Sequence, residues 1–147
     1  MDNKYIFDFY RIALLSLKLK KGAGKCNLAK PSLILAIIKC IEAGVLHNNR
    51  IVIDEVKPTY WEILSSFQNE ATPIRYPFYF LSSDGFWHIK WRTPISEALH
   101  SPSEKFLREN VEYASLDNAL WDLLQEKEIR EQYKCAIIDY YMSEKEN

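Results

Sequence analysis

Residues 78–91 read FYFLSSDGFWHIKW, and the reading of this stretch decides how the rest of the chain is assembled. Two aromatic, alternating runs flank Ser82, Ser83, Asp84 and Gly85. Alternation sends successive side chains to opposite faces of a strand, and a glycine supplies the positive φ that a tight turn needs. The stretch therefore predicts a β-hairpin turning at Gly85.

Moving outward toward the N-terminus, the loop QNEATPIRYP (68–77) follows a predicted helix over 55–68. That helix has Tyr60, Trp61, Leu64 and Phe67 on its inner side, Asp54 as cap, and Pro58 tolerated in its first turn. NRIVID (49–54) is short and β-branched and reads as a strand. Before it, Pro31 opens a helix whose Leu33, Ile34, Ile37, Ile38 and Ile41 cover most of its circumference, with Gly44 as C-cap. KLKKGAGKCNLAK (18–30) carries Lys18, Lys20, Lys21, Lys25 and Lys30 with no acid, and Gly22 and Gly24 argue for a mobile loop. Ile6, Phe9, Tyr10, Ala13, Leu14 and Leu17 predict an amphipathic helix over 4–19.

Moving outward toward the C-terminus, Ser101-Pro102-Ser103-Glu104 reads as a capping box. Ser115 is placed to cap a helix bearing Leu116, Ala119, Leu120, Leu123 and Leu124, and a last helix carries Ile129, Tyr133, Ala136, Ile137 and Tyr140. The expected class is α+β, mainly helical, with a winged-helix-like core containing one β-hairpin and followed by C-terminal helices. One domain is expected over 1–147, with the core in 1–92 and a helical extension in 93–147. In a winged helix the third helix is the recognition element and the hairpin is the wing.

Charge is unevenly spread. Residues 1–92 hold 13 Lys and Arg against 8 Asp and Glu, whereas 93–147 hold 6 against 12, so the net charge of −1 describes neither part. Three cysteines, Cys26, Cys40 and Cys135, have no zinc or redox spacing. No stretch is apolar enough to span a bilayer, and nothing at the N-terminus resembles a signal peptide, so a reduced, cytoplasmic protein is expected.

Catalytic chemistry finds no foothold. His47, His88 and His100 lack partners at metal-ligand spacing, and GAGK (22–25) lacks the strand before and the Ser or Thr after that a phosphate-binding loop requires. No catalytic residue, metal or cofactor is expected. Phosphate contact is expected at the lysine cluster, at Arg75 before the hairpin, and at Lys90 and Arg92 on it. Tyr76, between Arg75 and Pro77, can line a shallow apolar hollow, whereas core packing accounts for most of the other aromatics.

The segments KPSLILAIIKCIEAG (30–44), NRI (49–51) and YPFYFLSSDGFWHI (76–89) resemble the N-terminal domain of McrA-type and related HNH restriction endonucleases, a group that includes the sulfur-binding domains recognising phosphorothioate DNA. REQYKCAIIDYYM (130–142) resembles the family segment leading into the nuclease. The resemblance covers about residues 28–92 and implies a double-stranded DNA-recognition module of a restriction or defence system. In sulfur-binding members an apolar cup accepts the sulfur. Lys30 and Pro31 match its first wall and Tyr76 and Pro77 its second. Leu28 and Ala29 stand where proline and histidine are expected, and Phe80 falls where a small residue would floor the cup. Taken with the basic patches, this leads to the expectation that Lys30, Arg75 and Tyr76 sit nearest the phosphate, with Lys18, Lys20, Lys21 and Lys25 steering. The HNH motif is absent, so the resemblance implies a nuclease domain in cis or in trans. A homodimer stays open. The rival expectation is a protein-interaction module of a defence complex, with Tyr133, Tyr140 and Tyr141 forming an exposed face.

Overall fold

The computed structural model describes residues 3–22, 25–95 and 100–143; Gly24 lies outside them, as do the side chains of Lys21 and Lys25. The elements in order are α1 (Asn3–Leu14), β1 (Lys21–Gly22), β2 (Lys25–Cys26), α2 (Ala29–Glu42), α3 (Ile53–Phe67), α4 (Arg75–Phe80), a 3-10 turn (Leu81–Asp84), β3 (Trp87–Trp91), α5 (Glu104–Asn110), β4 (Val111–Leu116), α6 (Asn118–Leu123) and α7 (Lys127–Ile137). A π-helical turn over Ile138–Met142 continues α7.

α2 is the axis of the core. Every residue from Ala29 to Ile38 is buried, because α3 and α4 pack on it together with α7. A helix apolar on all sides is stable only when neighbours surround it. Its end is as expected, with Gly44 at φ 76 just past the last turn. α1 crosses α6 and α7 and stops at Leu14, shorter than the predicted 4–19.

The predicted hairpin over 78–91 is not formed within that stretch. Its first half is α4 and the 3-10 turn, and its second half is β3, which pairs antiparallel with the distant β4 in the register Trp87–Leu116 to Lys90–Tyr113. The reason is a helical period hidden under the aromatic alternation: Ile74, Pro77, Phe78 and Leu81 are the buried residues, and their spacing of three and four marks one helix face. Pro77 falls in the first turn, where its missing N–H is harmless. Gly85 does take a positive φ, 97°, but it ends the helical segment there. The side chain of Trp87 then ties β3 to α4 by donating its indole N–H to the Phe78 carbonyl at 2.7 Å.

Other boundaries move for similar reasons. NRIVID contributes one rung, Ile51 paired with Ala114 of β4, before α3 begins at Ile53. Asp54 lies in the first turn of α3, and its carboxylate accepts from Arg108 instead of capping the helix. Ser103, not Ser101, caps α5, its Oγ accepting the Phe106 N–H at 3.0 Å. Ser115 belongs to β4, and α6 starts two residues beyond Leu116. The class is nonetheless α+β and mainly helical, with an antiparallel strand pair joined by a single rung between α2 and α3.

The lysine stretch is not an open loop at its base. β1 and β2 pair antiparallel, and the Asn27 N–H donates to the Lys20 carbonyl at 2.7 Å.

Candidate nucleic-acid interface

The start of α2 and the start of α4 meet through a polar clasp. Asn27 Oδ1 accepts the Ala29 N–H at 2.8 Å, which fixes the entry to α2. Its Nδ2 donates to Thr72 Oγ1 at 2.7 Å, while Gln68 Oε1 accepts the Leu28 N–H at 2.8 Å. The start of α2 is thereby held to the 68–72 segment that leads into α4. Pro31 and Pro77 are both buried.

Lys30 is not at the surface. Its ammonium donates to Asp84 Oδ2 at 2.6 Å and to the Lys18 carbonyl at 2.8 Å, and the two side chains are only 3% and 2% exposed. Asp84 Oδ1 in turn accepts the Lys18 N–H at 2.8 Å. A buried ammonium this well satisfied is withheld from any phosphate, because moving it would strand the carboxylate in a poor dielectric. Lys30, expected nearest the phosphate, is found instead tied to Asp84 and to the backbone of Lys18.

Of the three other cations expected here, Lys18, Lys20 and Arg75, one is placed against Tyr76. Lys20 Nζ stands 5.8 Å from the Tyr76 ring centroid, within cation–π range. Lys18 Nζ donates to the Ser83 carbonyl at 3.0 Å, and Arg75 Nη1 donates to Ser101 Oγ at 2.7 Å. Both acceptors are neutral, so neither contact cancels the charge. Tyr76 is half-buried, and its phenol is pushed above the ordinary value by burial first and by the Asp84 carboxylate second. It therefore stays protonated at neutral pH and can donate to an anionic oxygen.

The Tyr76 ring also bears on the cup. The Phe80 ring lies against Tyr76, centroids 5.0 Å apart, so the position expected to be small is filled by an aromatic. Leu28 is packed against the core and Ala29 is fully buried.

Lys90 and Arg92 are joined to none of these by any contact described. Lys90 lies 3.9 Å from Glu112 and stands over Tyr113, which Arg50 also covers from 4.9 Å. Arg92 is exposed, its backbone N–H donating to the Asn110 carbonyl. The exposed face of α3 carries Asp54, Glu55 and Glu62, of which Asp54 pairs with Arg108 and Glu62 with Lys39.

Sequence reasoning missed Asp84, read as a turn residue, and the Asn27–Gln68–Thr72 clasp. The only sequence signal for Asp84 is that it is the one acid within a cationic and aromatic stretch. Tyr133 is buried with its hydroxyl donating to the Phe7 carbonyl, and the Tyr141 hydroxyl donates to the Leu14 carbonyl, so of the three tyrosines expected on an exposed face only Tyr140 is exposed. Among the described residues no three His, Cys, Asp or Glu gather as a metal site, and no helix is long and apolar enough to cross a membrane.

By sequence the chain matches no protein-family model and none of the curated proteins. By structure it is similar to the sulfur-binding domain of ScoMcrA complexed with phosphorothioated DNA, with a TM-score of 0.71 and 16% identity over 90% of this chain and 86% of that one. The corresponding domain of SprMcrA, also complexed with phosphorothioated DNA, gives 0.69 and 15% over 97% and 90%. The type IV phosphorothioation-dependent restriction endonuclease ScoMcrA gives 0.68 and 17%, and this chain spans 29% of that protein's length. The fold that sets Lys20 against Tyr76 is thus that of the sulfur-binding domains of McrA proteins.

Proposed function

We propose that this chain is the DNA-recognition module of a restriction or defence nuclease and has no catalytic centre of its own. The observation that carries the reading is Lys20 over the half-buried Tyr76 ring, with the Lys18 ammonium and the Arg75 guanidinium held on neutral oxygens, on a fold whose similar solved structures include complexes with phosphorothioated DNA. Lys21 and Lys25 extend the cationic stretch along the β1–β2 hairpin, and Lys90 and Arg92 add a second contact on the wing strand. Pro31 and Pro77 stiffen the backbone beneath, and Lys30 holds it in place. The chain works as one domain in the cytoplasm, and an HNH nuclease domain, in cis or in trans, supplies cleavage. Titration of a duplex with wild-type protein and with the Lys20→Ala, Lys21→Ala, Lys25→Ala triple variant tests the reading. The variant should bind all sequences more weakly, with a salt slope lower by about 2–3. An unchanged slope removes the hairpin from the interface.

The finer proposal is preference for a phosphorothioate linkage. The fold and the paired Lys30-Pro31 and Tyr76-Pro77 walls favour it; Phe80 and the Lys30–Asp84 pair oppose it. One duplex with and without a single phosphorothioate, compared by mobility shift, separates the two. Equal affinity would leave general DNA binding intact and end the sulfur reading.

A second reading, a protein-interaction module, is favoured by Tyr5, Phe9 and Ile12 on α1, which are 74%, 63% and 63% exposed and follow a helical stripe. Its mark would be self-association or partner binding lost on replacing those three with serine, with duplex affinity untouched.

A further inference from the structure

Between the α4 segment and β3 runs a shallow, open groove of about 660 Å³. That volume is within the range of sites that hold small organic ligands. Its lining includes the part-buried Tyr79, Phe80, Ile89 and Trp91, together with Ser83 and His88. Tyr79 and Trp91 stand at 6.4 Å and 65° to one another, and the His88 ring is held by Asp117, Nε2 to Oδ1 2.5 Å.

We infer that this groove seats one unstacked nucleobase of the bound DNA. The inference rests on the DNA-binding reading above and gives the aromatic side of α4 a part in it. Stacking on ring faces is tolerant of base identity, and it requires that the attached phosphates find cations. The groove meets that requirement through its own lining. Ser83 holds the Lys18 ammonium on its carbonyl, and Phe80 backs onto Tyr76, over which Lys20 lies. A base lying on Tyr79 and Trp91 therefore has the Lys18 and Lys20 ammoniums at hand for its flanking phosphates. An apolar peptide would make no use of those charges, which is why a nucleotide is the occupant chosen.

The experiment measures affinity of the intact chain, by fluorescence anisotropy, for three duplexes of one sequence: fully paired, carrying a single unpaired thymidine, and carrying an unpaired abasic residue at the same place. The thymidine bulge should bind about tenfold tighter than the abasic bulge. That ratio, taken against each protein's own affinity for the paired duplex, should fall toward one in Tyr79→Ala and in Trp91→Ala. Equal affinity of the wild-type chain for the thymidine and abasic bulges overturns the groove assignment and leaves duplex binding standing, with no variant needed. Failure to bind even the paired duplex overturns the DNA reading and the groove with it.

Discussion

Lys30 shows how a single residue can be read correctly for charge and wrongly for direction. A lysine before a proline, at the end of a cationic stretch, carries every local mark of a phosphate contact. Its partner Asp84 lies 54 positions away, and no local pattern reports a pairing at that distance. The pair was therefore invisible in the sequence, whereas the cationic character of the stretch around it was legible from its lysines alone. Removing one partner strands the other. Asp84→Ala should destabilise the fold by about 3–5 kcal/mol, measured by denaturant unfolding. Lys30→Met combined with Asp84→Ala should cost clearly less than the sum of the single changes. Additive losses would mean that the two groups do not sense each other.

At the scale of elements, the stretch 78–91 carries two periods at once. Aromatic alternation favours a strand; Ile74, Pro77, Phe78 and Leu81 favour a helix. Tertiary burial decides for the helix up to Asp84 and for the strand from Trp87, because α2 offers the first half an apolar surface and β4 offers the second a backbone partner. The identity of β4 was beyond local reading, since VEYASL (111–116) ends where a helix cap also fits. α2 and its ends were legible because a proline, an apolar circumference and a glycine all agree. The switch from helix to strand turns on Gly85. A Cβ there meets no atom within 4 Å, so only the φ of 97° opposes a side chain. Gly85→Ala should cost about 1–2 kcal/mol, and Gly85→Asn less, because asparagine tolerates the left-handed region. Thermal melts of the two variants test this, and equal losses would point to a steric cause instead.

Over the whole molecule, the predicted division at residue 92 does not follow the packing. β4 pairs with β3 and carries the Ile51 rung, and α7 packs on α2, so residues 111–137 complete the core begun by residues 29–64. The fragment 1–92 should therefore show no cooperative melt by circular dichroism, and a sharp transition would restore the division. Tyrosine hydroxyls tie the two ends of the chain together. Tyr10 donates to Asp117 Oδ2 at 2.7 Å, Tyr133 to Phe7 and Tyr141 to Leu14. Burial above all raises the phenols of Tyr10 and Tyr141, each pushed up to about 12, and Tyr133 rises in the same direction. A phenol whose folded value is raised contributes stability that is complete below the unfolded value near 10 and lost as pH climbs through the folded one. Unfolding by alkali should set in between about pH 10 and 12, with tyrosinate absorbance rising together with loss of helix. Tyr10→Phe should weaken that coupling; tyrosinate formation well below pH 10 in all tyrosines would contradict it.

The bond from Asn27 to the Lys20 carbonyl has a consequence for how this module can be retuned. It closes the finger of lysines at its root, so residues can be added or removed beyond it while the central helix and the strand pair keep their geometry. Doubling the length of such a finger costs only about 0.6 kcal/mol of closure entropy. On the DNA-binding proposal, the reach of this segment could thus be changed by residue count alone, decoupled from the stability of the body that carries it.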